Sequence, residues 1–452
     1  MKKITLLLAL SFFVHYGIAQ FSTMPLNYPY STGLFSANVV SIVDANHVWV
    51  GTQKQQYPSL NYSRYSVAVK TSDGGNTWHF DSIPVAGTPL NVDVAAWDAN
   101  TCYYLFADLN TGGGSLWKTT DGGSTWTKKT TNQFNGGFAD FIHLFSQNNL
   151  LVLGDPVGGY FDIQISNDGG DTWSRVPQAN IPAPLAVESG IGGKESSCVI
   201  GNTIWFASSG GRCFKSVDGG NNWTAVLVET NTVHQMWSVC FTDLLHGIFY
   251  KRSAIPAVYY ETSDGGATWT HISLVPEKWM PGISRIDGIY GGYILCAQDT
   301  INWGFKTSVY YTHDFFNTMT KIDSGLWSSD HIYFKNASTG WLSGIWHRDT
   351  AIYKYNGVLT SVKDIRKVTE NLTIIPNPSN QNALVTFPAD FFGHNKTMRI
   401  TDLSGKILCE YSVKPNEKEM NINSSSYKNG VYSIEIISDK GLIRSNRWIV
   451  YH

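Results

Sequence analysis

Polar residues recur along the chain at a similar distance before a repeated apolar word: Asn38, Asp93, Asp140, Glu195, His234, Arg285 and the pair Asp330-His331. Ionisable groups aimed at one opening shift each other's pKa values and can build a working pocket. Asp93 with Asp140, and next Asp140 with Asp155, are the pairs suited to acid–base or nucleophilic work on a glycosidic bond, which needs two carboxyls about 5 to 9.5 Å apart. Arg212, Arg252 and Arg285 could converge on an anion. Tyr62 and Tyr65 in "TQKQQYPSLNYSRYS", and Trp303 in "QDTINWGFKTS", suit stacking on sugar rings or gripping a peptide. Each has a plainer reading: strand-end polar groups line water-filled channels, and loop aromatics pack on themselves. No G-x-S-x-G supports a serine nucleophile. No histidines have metal-ligand spacing, and His331 and His347 read as structural, so neither metal nor cofactor is expected.

The elements that must position these residues follow from repetition. "TSDGGNTW", "TTDGGSTW", "SNDGGDTW", "SVDGGNNW" and "TSDGGATW" end at Trp78, Trp126, Trp173, Trp223 and Trp269, and a worn copy, "THDFFNTM", follows. A period in the forties marks a repeat architecture. Each unit has an apolar echo upstream, from "NHVWVGT" and "TCYYLFA" to "TGWLSGI", and the echo occurs seven times. Every unit parses as an inner strand, the echo strand, a variable loop, a third strand, the Asp-Gly-Gly hairpin and a fourth strand. Four antiparallel strands per unit, closed in a ring, make a β-propeller, here with seven blades over residues 20–357. The seventh unit lacks its fourth strand, so closure is expected from the N-terminus around "FSTMPLN". In the hairpin the Asp accepts bonds from the turn's own amides and the glycines supply positive φ. One carboxylate per hairpin is too few for calcium.

Composition agrees. Aromatics reach 13% and glycines number 42, as expected of an all-β protein, and a formal charge of −2 with 15% charged residues argues against a nucleic-acid surface. Residues 1–19, with Lys2 and Lys3 before an apolar run, read as a signal peptide, and no later run is long enough for a membrane helix. The six cysteines read as buried free thiols, with Cys198–Cys213 the first bridge to consider.

The hairpin string resembles the Asp-box (BNR) repeat of sialidase-type propellers, a motif also found in xyloglucanases, sortilin-like receptors and photosystem II assembly factors, so it implies architecture rather than activity. "LLVLGDPVGGYFDIQISNDGGDTW" with "GGRCFKSVDGGNNW" resembles bacterial relatives of the photosystem II stability and assembly factor, which implies a single propeller acting by binding. The sialidase signature is missing: the arginine before the first hairpin is Arg64 in "YSRYS", and Arg285-Ile286 is followed by Asp.

Residues 358–371 read as a polar linker, and 372–452 as a small β-sandwich of alternating strands with Asp-x-x-Gly and Asn-Gly turns. Pro376-Asn377-Pro378, Asp402-Leu403-Ser404-Gly405-Lys406 and Gly430-Val431-Tyr432 resemble the type A C-terminal sorting domain of type IX secretion. That resemblance implies contact with the type IX machinery and a secreted or outer-surface location. The chain therefore reads as an exported monomer that binds an extracellular glycan or protein, with a glycoside hydrolase using axial carboxylates as the alternative.

Overall fold

The computed structural model describes residues 20–26, 34–55, 66–87, 89–108, 110–130, 133–230, 236–252, 258–273, 279–301, 304–327, 331–343, 351–359, 372–388, 391–402, 406–438 and 443–452. The chain divides into two compact units, Met1–Ser361 and Val362–His452.

The first unit is a seven-bladed β-propeller. Blades 1 to 6 are four-stranded antiparallel sheets with inner strands Leu34–Ile42, Pro89–Ala96, Ala139–Leu144, Ser197–Ile200, Trp237–Phe241 and Trp279–Arg285. Blade 7 takes His331–Asn336, Thr339–Ser343 and Ala351–Tyr355 from the end of the unit, and Phe21–Pro25 from its start. Phe21 pairs with Tyr355 and Pro25 with Ala351, so the two ends of the unit share one sheet. This closure removes the free edges that an open sheet would present. The second strands are almost wholly apolar and buried, as in Cys102–Asp108 and Thr203–Ala207, because both faces of each blade pack on neighbouring blades.

One hydrogen-bond pattern repeats in the outer hairpins. In blade 1, Thr71 Oγ1 donates to Asp73 Oδ1 (2.8 Å) and accepts from Gly75 N (2.8 Å), while Thr77 donates its amide and hydroxyl to the two Asp73 oxygens (2.9 and 2.6 Å). Asp121, Asp168, Asp218 and Asp264 hold the same turns. The worn sixth copy keeps the pattern at Asp314, with Phe315 and Phe316 at φ 53° and 65° where the other copies have glycines. Each hairpin is tied to the first turn of its blade, for example Gly74 N to Asn46 O (3.0 Å) and Gly169 N to Asn148 O (2.8 Å). The hairpins and the exits of the inner strands therefore share one face of the propeller.

The second unit packs a three-stranded sheet (Thr373–Ile375, Asn382–Thr386, Glu419–Asn423) and a four-stranded sheet (Lys396–Asp402, Ile407–Val413, Gly430–Ser438, Ile443–Val450) around Met398, Ile400, Ile434, Ile436 and Trp448. No helix among the described residues is long and apolar enough to cross a membrane.

Candidate functional site

Among the described residues, the polar side chains at the starts of the inner strands are buried. Bulges interrupt the pairing at Ala37/Val39, Asn91/Asp93 and Ala139/Phe141, which re-aims the side chains at this level. Asp93, Asp140, Glu195 and His331 are only 1%, 1%, 7% and 4% exposed. A segment of blade 4, Glu188–Ser196, packs on Asp140, with Gly193 N donating to Asp140 O (3.0 Å).

Asp93 is fully engaged: Oδ1 accepts from Val94 N (2.7 Å) and Oδ2 from Ile142 N of the next blade (3.0 Å). Burial raises its carboxyl, the Lys194 charge and the two amides pull it back, and it settles at about 6. Asp140 sits beneath Gly190, where an added Cβ would lie 1.9 Å from Asp140 Oδ2. That oxygen is buried and has no hydrogen-bond partner among the described residues. Burial and the neighbouring Asp155 push the Asp140 carboxyl well above the usual range. Asp155 Oδ1 accepts from Gly190 N (2.8 Å), and burial raises its carboxyl too. The two carboxyls of blade 3 thus bracket one glycine, whereas Asp93 is directed at backbone amides.

Glu195 crosses to blade 7. Its Oε1 meets His331 Nδ1 at 2.6 Å and accepts from the Tyr333 hydroxyl, which also reaches Asn38 O at 3.2 Å. Burial alone would raise this carboxyl, but the charge and hydrogen bond of His331, the Arg252 charge and the Tyr333 hydrogen bond together hold it well below the usual range. Arg212 is likewise engaged: its guanidinium forks onto Glu188 (Nε to Oε1, 2.9 Å; Nη2 to Oε2) and reaches Ala183 O (2.9 Å). Among the sequence candidates, Arg212 fastens this segment, Glu195 belongs to it, and Asp140 and Asp155 pack against it, while Asp93 is held by the amides of Val94 and Ile142.

Arg285 is displaced from its expected level. It pairs with Tyr293 as Ala95 pairs with Tyr103, so it stands at the exit of its inner strand and not at the start. Tyr62, Tyr65, His234, Trp303 and Asp330 lie outside the described residues.

The cavity on the axis is at the exit end. It holds about 460 Å³ and takes lining residues from all seven blades: Ser41, Trp97, His143, Cys198, Cys240, Arg285 and Lys335 among them, with Lys194 and Glu195 entering from the Glu188–Ser196 segment. Trp97 is 43% exposed. Burial, then the Lys194 and Arg285 charges, push His143 down to about 3, so its ring is neutral. Read from sequence, Cys198 and Cys240 are buried thiols and not cavity wall, and no signal marks Lys194, which lies in a Gly-rich connection.

Residues 373–451 match the secretion system C-terminal sorting domain. The chain therefore carries a sorting domain for type IX secretion, which directs it to the cell surface or the extracellular space. The propeller resembles the solved structures of YCF48 bound to D1 peptide (TM-score 0.52, 14% identity, 75% of this chain and 98% of that one) and of YCF48 from Cyanidioschyzon merolae (TM-score 0.53, 14% identity, 75% and 99%). A probable oligoxyloglucan-reducing end-specific xyloglucanase of Neosartorya fischeri is 30% identical over 126 residues, which spans 26% of this chain and 15% of that protein.

Proposed function

We propose that the chain is an exported propeller that binds a glycan or a protein outside the cell and is not itself a hydrolase. The observation that carries this reading is the state of the axial carboxylates. Hydrolysis needs one carboxyl to deliver a proton and another to face substrate or water across an open gap. Here Asp93 is spent on two amides, Asp140 lies beneath Gly190, and Glu195 is consumed by His331 and Tyr333. The space left on the axis carries Lys194, Arg285, Lys335 and Trp97 beside Glu195 and Asp287, and the surplus of cations with an exposed indole suits an acidic or aromatic-stacking group. YCF48, a propeller of this fold, is described with a bound peptide, which makes a peptide ligand a reasonable class to try. In the same reading the hairpins are Asp-boxes, residues 1–19 are a signal peptide, 20–357 the propeller, 358–371 a linker and 372–452 the sorting domain, and the exported protein is a monomer.

A glycoside hydrolase is the second reading, favoured by the local match to a xyloglucanase and by the adjacency of Asp140 and Asp155. A glycan array and peptide array, run beside a polysaccharide-hydrolysis screen, separate the two. Binding without products supports the module. Turnover that disappears in Asp140→Asn and Asp155→Asn supports the hydrolase.

A further inference from the structure

The wall of the axial cavity holds a pair of thiols that neither reading of function uses. Cys198 lies on the inner strand of blade 4 and Cys240 on that of blade 5, and both line the cavity. Cys198 Sγ packs on the peptide that follows Cys240 and lies 3.6 Å from Phe241 O. Cys198 Sγ also accepts from Phe241 N (3.2 Å) and faces Arg285 Nη1 (3.8 Å). Arg285 is braced in that position by Val199 O (2.9 Å) and Asp287 Oδ1 (2.8 Å). An amide and a fixed guanidinium aimed at one sulfur favour the thiolate, the reactive form. Cys102 and Cys213, by contrast, are buried thiols that burial pushes up. Cys213 is also no partner for Cys198. The two lie on strands separated by Thr203–Ala207, and two strand spacings make roughly 9.6 Å, beyond the reach of a disulfide.

We infer that Cys198 and Cys240 are an oxidisable dithiol that closes to a disulfide in the extracytoplasmic compartment to which the sorting domain sends the chain, tying blade 4 to blade 5 at the cavity wall. The oxidant is a disulfide donor. Cys198 thiolate attacks one donor sulfur and expels the other as a thiolate. That thiolate takes the Cys240 proton, the Cys240 sulfur attacks Cys198 Sγ, and the second donor thiolate leaves and is protonated from solvent. Two cysteine thiols are oxidised and one donor disulfide is reduced to two thiols.

The test uses the full chain incubated with reduced and oxidised glutathione, then denatured, alkylated and digested with trypsin. Cleavage isolates Cys198 in residues 195–212, Cys213 in 213–215 and Cys240 in 216–251. The expected result is a linked pair of peptides 195–212 and 216–251, lighter by the two lost hydrogens, with loss of alkylation at both cysteines and retention at Cys102 and Cys213. In Cys240→Ser the glutathione mixed disulfide is expected to accumulate on peptide 195–212. Full alkylation of Cys198 and Cys240 after incubation, or linkage of Cys198 to another cysteine, overturns the inference.

Discussion

Glu195→Gln is the change that probes the Glu188–Ser196 segment most directly. The substitution keeps shape and removes the charge that His331 and Tyr333 hold at the axis. Removing one member of a buried ion pair costs about 3–5 kcal/mol, and the lower end applies here because Gln can still accept from Tyr333. Unfolding entropy of about 2.1 cal/mol/K per residue, over roughly 340 residues of propeller, gives about 0.7 kcal/mol/K, so 3 kcal/mol lowers Tm by about 4 °C. Tryptophan fluorescence reports the propeller, because every tryptophan except Trp448 precedes residue 362. The folded-state pKa of Glu195 is lowered, so its contribution is complete above the unfolded value and is lost as pH falls through the folded one. The gap between wild type and variant is therefore full at pH 7 and narrows only below about pH 4. A variant that melts within about 1 °C of wild type at pH 7 refutes the idea that this contact anchors the segment.

Gly190→Ala places a methyl 1.9 Å from Asp140 Oδ2 and is expected to cost about 1–3 kcal/mol by overpacking. An unchanged urea midpoint would show that the segment does not bear on Asp140. Asp121, Asp168 and Asp264 are held at about 2 by the hydrogen bonds of their own hairpins, led by Thr125, Thr172 and Thr268, so their contribution is intact above the ordinary carboxylate pKa and is lost as pH falls towards 2. Asp93, raised to about 6 by burial, acts in the opposite sense: its contribution is lost as pH rises through 6. Thermal unfolding followed across pH should show Tm level or rising from pH 7 to about 5 and falling below about 4; a Tm that drops steadily from pH 7 would contradict these assignments.

Much of the architecture is legible in the sequence because it is local and repeated. The Asp-Gly-Gly hairpin is a closed set of bonds within seven residues, from Thr71 to Thr77 in blade 1, and its spacing counts the blades. The closure by Phe21–Pro25 follows from a missing fourth strand. The site is less legible because its contacts are distant. Glu195 meets His331 across 136 positions, and Arg212 meets Glu188 through a segment with no repeat signature. Strand register is the other gap. Counting from the apolar echo puts Arg285 level with Asp93, whereas bulges at the strand starts and its own pairing with Tyr293 set it at the exit, beside Cys198. The bulges also re-aim Asn38 and Asp140, which no linear pattern records.

The most direct measurement is product release from a panel of extracellular polysaccharides, xyloglucan included, by the exported chain, with ligand binding followed on the same preparation. The account predicts saturable binding to a glycan or peptide and no new reducing ends from any polymer. Sustained turnover by wild type that is abolished in Asp93→Asn, Asp140→Asn or Asp155→Asn, with the folded state retained, would contradict it.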